Sequence, residues 1–242
     1  APVSRMTAWA RYSDTRSVAE TRITELTGLL STEERERAAR FWHADDRRDY
    51  VAAHALMRMA LSAHTQLADE DLTFGADSYG KPYLRLPDGA TPPEFSLAHS
   101  RGLVACVVAS EGAGGIHVGP VDDSIDATRL AKELFSSSEV EALQRCSIAE
   151  RPSRFCELWT LKEALFKAVG TGLRSELSAV SFRVDDDQVS FTTGTPLFTN
   201  VPWEFVLIDV GGTHRLAIAI DARQQDSKQL PITCCDLTRQ LC

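Results

Sequence analysis

The chain has 242 residues, of which 43% are hydrophobic and 25% are charged, a balance that suits one large globular domain or two small ones. Its net charge of −8 argues against a nucleic-acid-binding protein, because such proteins present a basic surface. No apolar run reaches the roughly 18 residues of a membrane helix, and no signal peptide is recognisable. The six cysteines form no C-x-x-C pair, so we expect reduced thiols in a cytoplasmic protein.

The N-terminal third is predicted to be mainly helical. We expect a strand at 6–12 and helices at 17–30 and 46–67. Between these two helices, a further helix is expected to begin directly after the capping residue Ser31. Five arginines between residues 35 and 48 form a local basic cluster, which is typical either of a solvated face or of a ligand site. His54 and Arg58 lie one turn apart on the third helix, a spacing equally compatible with a structural pair and with a site.

Strands and turns replace helices from residue 70 onward. A strand at 72–74 leads into a turn, 77–82, with Lys81 at its tip. Residues 95–109 read as a hairpin with His99 near the bend, and its second strand is apolar throughout, as in buried strands.

The glycine-rich stretch around residue 113 is the predicted boundary between two halves. We expect an N-terminal half at 1–112, a C-terminal half at 113–223 and a peripheral tail at 224–242. The elements expected after the boundary are a strand at 116–120, helices at 126–135 and after Ser136, and strands near 178–184, 188–193, 203–210 and 214–221. Residues 100–108 resemble residues 212–220, and two similar α/β halves packed face to face explain this repeat best.

Residues 155–173 read as a helix that ends at Gly170 and carries the most unusual chemistry of the chain. Trp159, Glu163 and Lys167 follow one another at intervals of one turn, close to one face. A carboxylate one turn before an ammonium is also the commonest exposed helix pair. With Lys162 beside it, however, the same constellation can hold a phosphate and move a proton.

Several motifs then line up in the order of a known family. They are Gly80-Lys81-Pro82, Phe95-Ser96-Leu97-Ala98-His99-Ser100, Gly115-Ile116-His117-Val118-Gly119, Phe135-Ser136-Ser137-Ser138-Glu139 and Trp159-Thr160-Leu161-Lys162-Glu163-Ala164-Leu165-Phe166-Lys167. Together they resemble the long, surfactin-synthetase-activating type of 4′-phosphopantetheinyl transferase, over roughly residues 30–222. The Trp-x-x-Lys-Glu-x-x-x-Lys helix is the most specific of these elements.

The resemblance implies a fold, a reaction and partners. Members of that family are α+β proteins, pseudo-dimers of two similar α/β halves, and they bind coenzyme A in the cleft between the halves. They transfer its phosphopantetheine arm to a serine of an acyl or peptidyl carrier protein and release 3′,5′-ADP. The chain is accordingly expected to act as a monomer on a carrier protein and coenzyme A.

The resemblance also implies roles for individual side chains. Glu163 is implied as a ligand of a divalent metal, magnesium in this family, and as the base. Lys162 is implied to hold phosphate and Lys167 to serve the leaving group, so both are expected to contact coenzyme A. At its nucleotide end, and notably at its 3′-phosphate, the implied contacts are Arg37, Lys81 and His99.

One motif departs from the family pattern. Its metal-binding strand reads Gly-Ile/Val-Asp-Ile/Val-Glu, whereas this chain has His117 and Gly119 at the two acidic positions. Residues i and i+2 of a strand share a face, so both positions address one ion. Magnesium prefers oxygen ligands, while His117 and Glu163 suit a softer ion such as zinc or manganese. Three hypotheses follow: a transferase with an altered metal site, a variant with weak or lost activity, or a protein that only binds coenzyme A or a carrier.

Overall fold

The computed structural model describes residues 8–86, 90–172, 177–185, 188–193, 195–223 and 231–238. Its strands are β1 (Ala8–Asp14), β2 (Thr73–Ala76), β3 (Pro82–Arg85), β4 (Glu94–Ser100), β5 (Leu103–Ala109), β6 (Gly114–Pro120), β7 (Val180–Asp185), β8 (Gln188–Thr193), β9 (Trp203–Val210), β10 (His214–Asp221) and β11 (Ile232–Cys234). Its α-helices are α1 (Glu20–Thr27), α2 (Thr32–Ala38), α3 (Ala44–Thr65), α4 (Ala127–Leu134), α5 (Ser137–Arg145), α6 (Arg151–Val169) and α7 (Pro196–Thr199). The predicted α+β class is confirmed. No helix in the described ranges is long and apolar enough to span a membrane.

The chain divides into two compact units. Unit 1 comprises Ala1–Gly114 with Gln229–Cys242, and unit 2 comprises Gly115–Lys228. The domain limits predicted from the sequence, and the predicted cleft between the halves, stay predictions.

Unit 1 is built on a sheet with the strand order β11-β1-β5-β4. The strands β1, β5 and β4 pair antiparallel, and the long helix α3 packs against β5, which is buried along its whole length. The helix begins after His43 with two aspartates in its first turn and ends at Gln66, which adopts a left-handed conformation. Buried Asp49 accepts hydrogen bonds from the Thr15 hydroxyl and, at 2.7 Å, from the Gly102 amide, which ties α3 to the β4–β5 turn.

The segment predicted to be a peripheral tail contributes a strand and core side chains to unit 1. Strand β11 pairs in parallel with β1 in the register Ala10 to Ile232, and the Cys235 amide donates to the Tyr12 carbonyl at 2.7 Å. Cys235 and Leu237 are 1% and 2% exposed within the unit 1 core. The rest of the tail, at 224–230 and 239–242, lies outside the described residues.

Unit 2 repeats the order of elements of unit 1. Its sheet has the order β6-β10-β9, with β10 buried throughout and antiparallel to β9, and the long helix α6 packs against β10. In each unit a long helix precedes a two-stranded hairpin, β2–β3 or β7–β8, which is followed by the two antiparallel strands of the sheet. Strands β5 and β10 contain the two similar sequence segments, so the faint internal repeat reflects a repeated set of elements.

Candidate functional site

Helix α6 carries three of the predicted site residues and has clear start and stop signals. Pro152 stands in its first turn, where a missing amide hydrogen costs nothing, and Gly170 ends it in a left-handed conformation with φ 83°. The cap amide of Gly170 donates to the Phe166 carbonyl at 2.9 Å. The helix starts at Arg151, four residues before the stretch 155–173 predicted to be helical, and it ends at Val169, directly before the predicted stop signal Gly170.

Strand β6 lies directly against α6 because its glycines remove the side chains that would separate them. A Cβ on Gly115 would lie 2.5 Å from the Ala168 amide nitrogen and closer still to the Ala164 carbonyl oxygen. A Cβ on Gly119 would lie 2.6 Å from Oγ1 of Thr160 and 3.1 Å from Sγ of Cys156. The alternate positions of β6 therefore face α6, as the strand period predicts.

His117 stands between these two glycines and faces Glu163. Its Nδ1 lies 4.0 Å from Oε2 of Glu163, and this nitrogen is buried with no hydrogen-bond partner among the described residues. Burial, and then the Lys167 charge, lower the pKa of His117 to about 3, so the imidazole is neutral. The structure thus brings together three residues singled out from the sequence: His117, Glu163 and Lys167.

Glu163 and Lys167 perturb each other within this partly buried setting. Burial raises the pKa of the Glu163 carboxyl, and the nearby Lys167 charge opposes that rise. Burial lowers the pKa of Lys167 to about 8, with Glu163 opposing. A carboxylate that is more basic than usual and an ammonium that is more acidic than usual are suited to proton transfer near neutral pH.

Lys162 points away from this group and is fully buried. Its Nζ lies 2.8 Å from Oε2 of Glu139, and both side chains have 0% exposure. The same nitrogen donates to the carbonyls of Leu177 at 2.8 Å and Val180 at 2.6 Å, so all three ammonium hydrogens have acceptors. Burial lowers the pKa of Lys162 and the Glu139 carboxylate opposes that effect. Lys162 therefore links α6 to α5 through the Glu139 ion pair and to β7 through the Val180 carbonyl.

Glu139 has a structural role, and the sequence marked it as part of the helix cap after Ser136 and as the last residue of a family motif. Its Oε2 accepts from the amide and hydroxyl of Ser136, each at 2.9 Å, and its Oε1 accepts from the Phe182 amide at 2.9 Å. The capping box of α5 thus also receives the buried lysine. Sequence spacing cannot reveal this, because Lys162 and Glu139 belong to different helices.

The donors beside β6 do not fit magnesium. Magnesium is held in near-octahedral geometry by oxygen atoms, whereas His117 has one carboxylate partner among the described ion pairs, Glu163, and position 119 is glycine. In the described part of the chain no group of three or more His, Cys, Asp or Glu side chains is placed to hold a metal ion. The orphaned Nδ1 of His117 is a nitrogen donor, which zinc accepts more readily than magnesium does.

The remaining predicted residues belong to unit 1, around a cavity of about 780 Å³. Arg37 lines it from α2, and its guanidinium lies 6.0 Å from the centre of the Tyr50 ring. Gly80 and Pro82, on either side of Lys81, also line the cavity, while the Lys81 ammonium lies 2.6 Å from a Glu94 carboxylate oxygen.

His99 is exposed on β4, and its charge acts on a second histidine, His54, which lines the cavity. Arg37 also acts on His54, so two predicted nucleotide contacts converge there. The sequence left open whether His54 and Arg58 form a structural pair or belong to a site. Arg58 instead forms a buried ion pair with Glu34, at 2.7 Å. A larger cavity in the described part of unit 2, of about 960 Å³ between β8 and β9, contains none of the predicted site residues.

Comparison with known proteins places these features in a family. Residues 17–113 match the family model described as "4'-phosphopantetheinyl transferase, N-terminal", and residues 115–220 match "4'-phosphopantetheinyl transferase superfamily". A 4'-phosphopantetheinyl transferase of Bacillus subtilis is 33% identical over 65% of this chain and 68% of its own length. The chain belongs to the 4′-phosphopantetheinyl transferase family. The transferase Sfp of Bacillus subtilis strain 168 is 32% identical, over 67% of this chain and 70% of its own length.

Among solved structures, the holo-[acyl-carrier-protein] synthase of Thermotoga maritima aligns with a TM-score of 0.38 and 23% identity, over 45% of this chain and 61% of that one. The family assignment rests on the relatives and family models, not on this partial likeness. The two matched ranges contain the predicted residues of their own units: Arg37, Lys81 and His99 in the first, and His117, Lys162, Glu163 and Lys167 in the second.

Proposed function

We propose that the chain transfers the 4′-phosphopantetheine arm of coenzyme A to a serine of an acyl or peptidyl carrier protein. The observation that carries this proposal is the partly buried Glu163–Lys167 pair on α6, in a member of the 4′-phosphopantetheinyl transferase family. The serine oxygen forms a bond to the phosphorus of the arm, and the bond from that phosphorus to the oxygen of 3′,5′-ADP breaks.

The two α6 side chains take complementary roles in this transfer. Glu163 accepts the proton of the carrier serine, since a carboxylate with a raised pKa is a stronger base than an exposed one. Lys167 neutralises the departing phosphate, and a pKa of about 8 leaves it charged at neutral pH while making it a better proton donor than an ordinary lysine.

The nucleotide end of coenzyme A is assigned to the unit 1 cavity. Arg37 presents a guanidinium there, Lys81 stands between two residues of the cavity wall, and His99 is exposed nearby. We assign Lys162 a different role from the phosphate contact implied by the family, because its ammonium is fully engaged inside unit 2. It positions α6 and thereby Glu163 and Lys167.

No step of this proposal runs through magnesium, because the donors beside β6 do not fit it. We propose that any ion held there is softer, zinc or manganese, with His117 and Glu163 as its protein ligands. Equilibrium dialysis with each metal, on the chain and on a His117→Ala variant, tests this without an activity readout. Equal zinc retention by both proteins would contradict it.

Intact-mass spectrometry tests the transfer. The full chain is incubated with coenzyme A and an apo carrier protein, with magnesium, manganese, zinc or no metal, and the carrier is expected to gain the mass of the arm. Glu163→Gln is expected to lose about 10²–10⁴-fold in rate and Lys167→Met about 10²–10³-fold. Glu133→Gln, at an exposed position of α4, is the matched control. A carrier without added mass under every metal condition would refute the proposal.

A second candidate function is binding without transfer. It is favoured by one observation, the replacement of both family carboxylates on β6 by His117 and Gly119. Calorimetry together with the mass assay separates the two candidates. A binding-only protein shows affinity for coenzyme A or an apo carrier in calorimetry but adds no mass to that carrier. The monomer expected from the family is checked by light scattering during gel filtration.

A further inference from the structure

His54 is held in a way that leaves one ring nitrogen available to a ligand. Its Nδ1 donates to the Tyr50 carbonyl at 2.9 Å, and its ring stacks on the Tyr50 ring with centroids 3.9 Å apart. Because a carbonyl only accepts, the proton of the neutral imidazole sits on Nδ1 and Nε2 carries a lone pair. Nε2 makes no hydrogen bond within the described ranges, and the side chain lines the unit 1 cavity.

The cavity around His54 combines positive charge with an aromatic and aliphatic wall. The charged and titratable groups that face His54 or line the cavity with it are Glu33, Glu34 and Arg37 on α2, Tyr50 and Arg58 on α3, Arg85 on β3 and His99 on β4. Glu34 is already engaged, because it accepts from Arg58 at 2.7 Å and from the Ser31 amide at 2.8 Å. Three arginines and two glutamates line the cavity, so the net charge of these groups is positive.

We propose that His54 is a phosphate-binding side chain of this cavity, which takes up a proton as it binds a phosphomonoester and so favours ligands that carry one. A phosphate oxygen only accepts hydrogen bonds, so it cannot bond to the lone pair on Nε2. The bond forms once Nε2 is protonated. The proton comes from solvent, and no covalent bond is made or broken.

Burial is the main cause that lowers the pKa of His54 and so disfavours its charged form before a ligand binds. Burial, then His99 and Arg37, lower the pKa of His54, while the Tyr50 carbonyl and Glu34 oppose them. A phosphomonoester brings a charge of about −1.5 to −2 at neutral pH and reverses this balance. In coenzyme A the 3′-phosphate is the only phosphomonoester, and dephospho-coenzyme A lacks it. The inference rests on the proposed function only for the identity of this ligand.

Calorimetry in buffers of different ionisation enthalpy counts the protons taken up on binding. The wild-type chain is expected to take up about one more proton with coenzyme A than with dephospho-coenzyme A. Its affinity for coenzyme A is expected to rise by up to about tenfold for each pH unit that the pH falls, until the phosphate itself protonates near about pH 6.

Two substitutions separate the proton from the hydrogen bond. His54→Gln keeps a donor that cannot titrate, so it is expected to lose the extra proton uptake and the pH dependence while keeping part of the preference for coenzyme A. His54→Ala is expected to lose both. His64→Gln is the matched control, because His64 lies on the same helix but lines a different cavity, with its Nε2 3.4 Å from the Ser110 hydroxyl. Thermal melting shows that each variant is folded at the assay temperature.

The outcomes distinguish this inference from the proposed function. Unchanged proton uptake and ligand preference in His54→Gln would overturn the inference even if transfer is observed, and so would a chain that binds no coenzyme A. His54-dependent proton uptake without transfer to any carrier would sustain the inference and refute the transferase proposal.

Discussion

The buried ion pair between Lys162 and Glu139 decides whether this lysine holds the fold or a phosphate. Lys162→Met removes the ammonium and leaves the Glu139 carboxylate and two carbonyl oxygens, of Leu177 and Val180, without it. Removing one partner of a fully buried pair costs about 3–5 kcal/mol. That is a large share of the roughly 5–15 kcal/mol that stabilises an ordinary domain.

Glu139→Gln gives the other half of a double-mutant cycle. Glutamine at this position can keep the capping box with Ser136 through its oxygen, while its amide nitrogen replaces the oxygen that accepts from the Phe182 amide. The variant therefore removes the charge together with that one hydrogen bond. We expect the double variant to lose clearly less stability than the sum of the single variants, because neither charge is then left buried alone. Urea denaturation followed by tryptophan fluorescence and circular dichroism measures each corner, and Lys167→Met, on the same helix but partly exposed, is the control.

The binding readout separates the two roles of Lys162. If Lys162 is structural, the Lys162→Met variant is expected to bind coenzyme A with nearly wild-type affinity at a low temperature at which it is still folded. A variant as stable as the wild type, within about 1 kcal/mol, that has lost coenzyme A binding would refute the structural role and restore the phosphate contact implied by the family.

Three further predictions concern β6. Gly115→Ala is expected to destabilise unit 2 by about 1–3 kcal/mol or more in thermal melts because its Cβ collides with the α6 backbone, whereas Gly114→Ala, whose Cβ would lie 3.5 Å from its nearest neighbour, should change stability by less than about 1 kcal/mol. Replacing His117 by aspartate and Gly119 by glutamate should raise magnesium affinity and magnesium-dependent transfer. The gain should be larger when Thr160→Ala is added, because the smaller side chain makes room for the glutamate. A triple variant no better than the double variant would refute this steric account. The pKa of His117 is about 3 in the folded chain and about 6.5 when unfolded, so the unfolded state binds more protons between these values. The free energy of unfolding should therefore fall by up to about 1.4 kcal/mol for each pH unit below about pH 6.5. His117→Asn should reduce this slope in urea titrations at several pH values.

Local signals located most of the elements. The capping boxes at Ser31 and Ser136 fix the starts of α2 and α5, because the serine side chain and the residue three positions later satisfy two amides at once. Periodicity located the long helices α3 and α6 to within a few residues. Strands β8, β9 and β10 have the predicted limits 188–193, 203–210 and 214–221.

Features that depend on distant partners were not predictable in this way. Strand β11 has only three residues, and its place beside β1 is set by backbone pairing and by the burial of Cys235 and Leu237. The burial of Lys162 depends on Glu139 in another helix, which residue spacing along α6 does not reveal. Residue spacing predicts which side chains share a face of one helix or strand. Contacts between different elements depend on how the whole chain packs.

Gly119 shows how far a missing motif residue can be explained. In the sequence it is only an absent carboxylate. In the fold, β6 approaches α6 so closely that a Cβ at this position meets Thr160 and Cys156, whose thiol donates to the Gly119 carbonyl at 3.3 Å. Thr160 is 0% exposed and β-branched, so its hydroxyl has few alternative rotamers. The glycine and the threonine therefore pack as a pair, and a carboxylate side chain at position 119 is expected to fit best when the helix carries a smaller side chain at position 160.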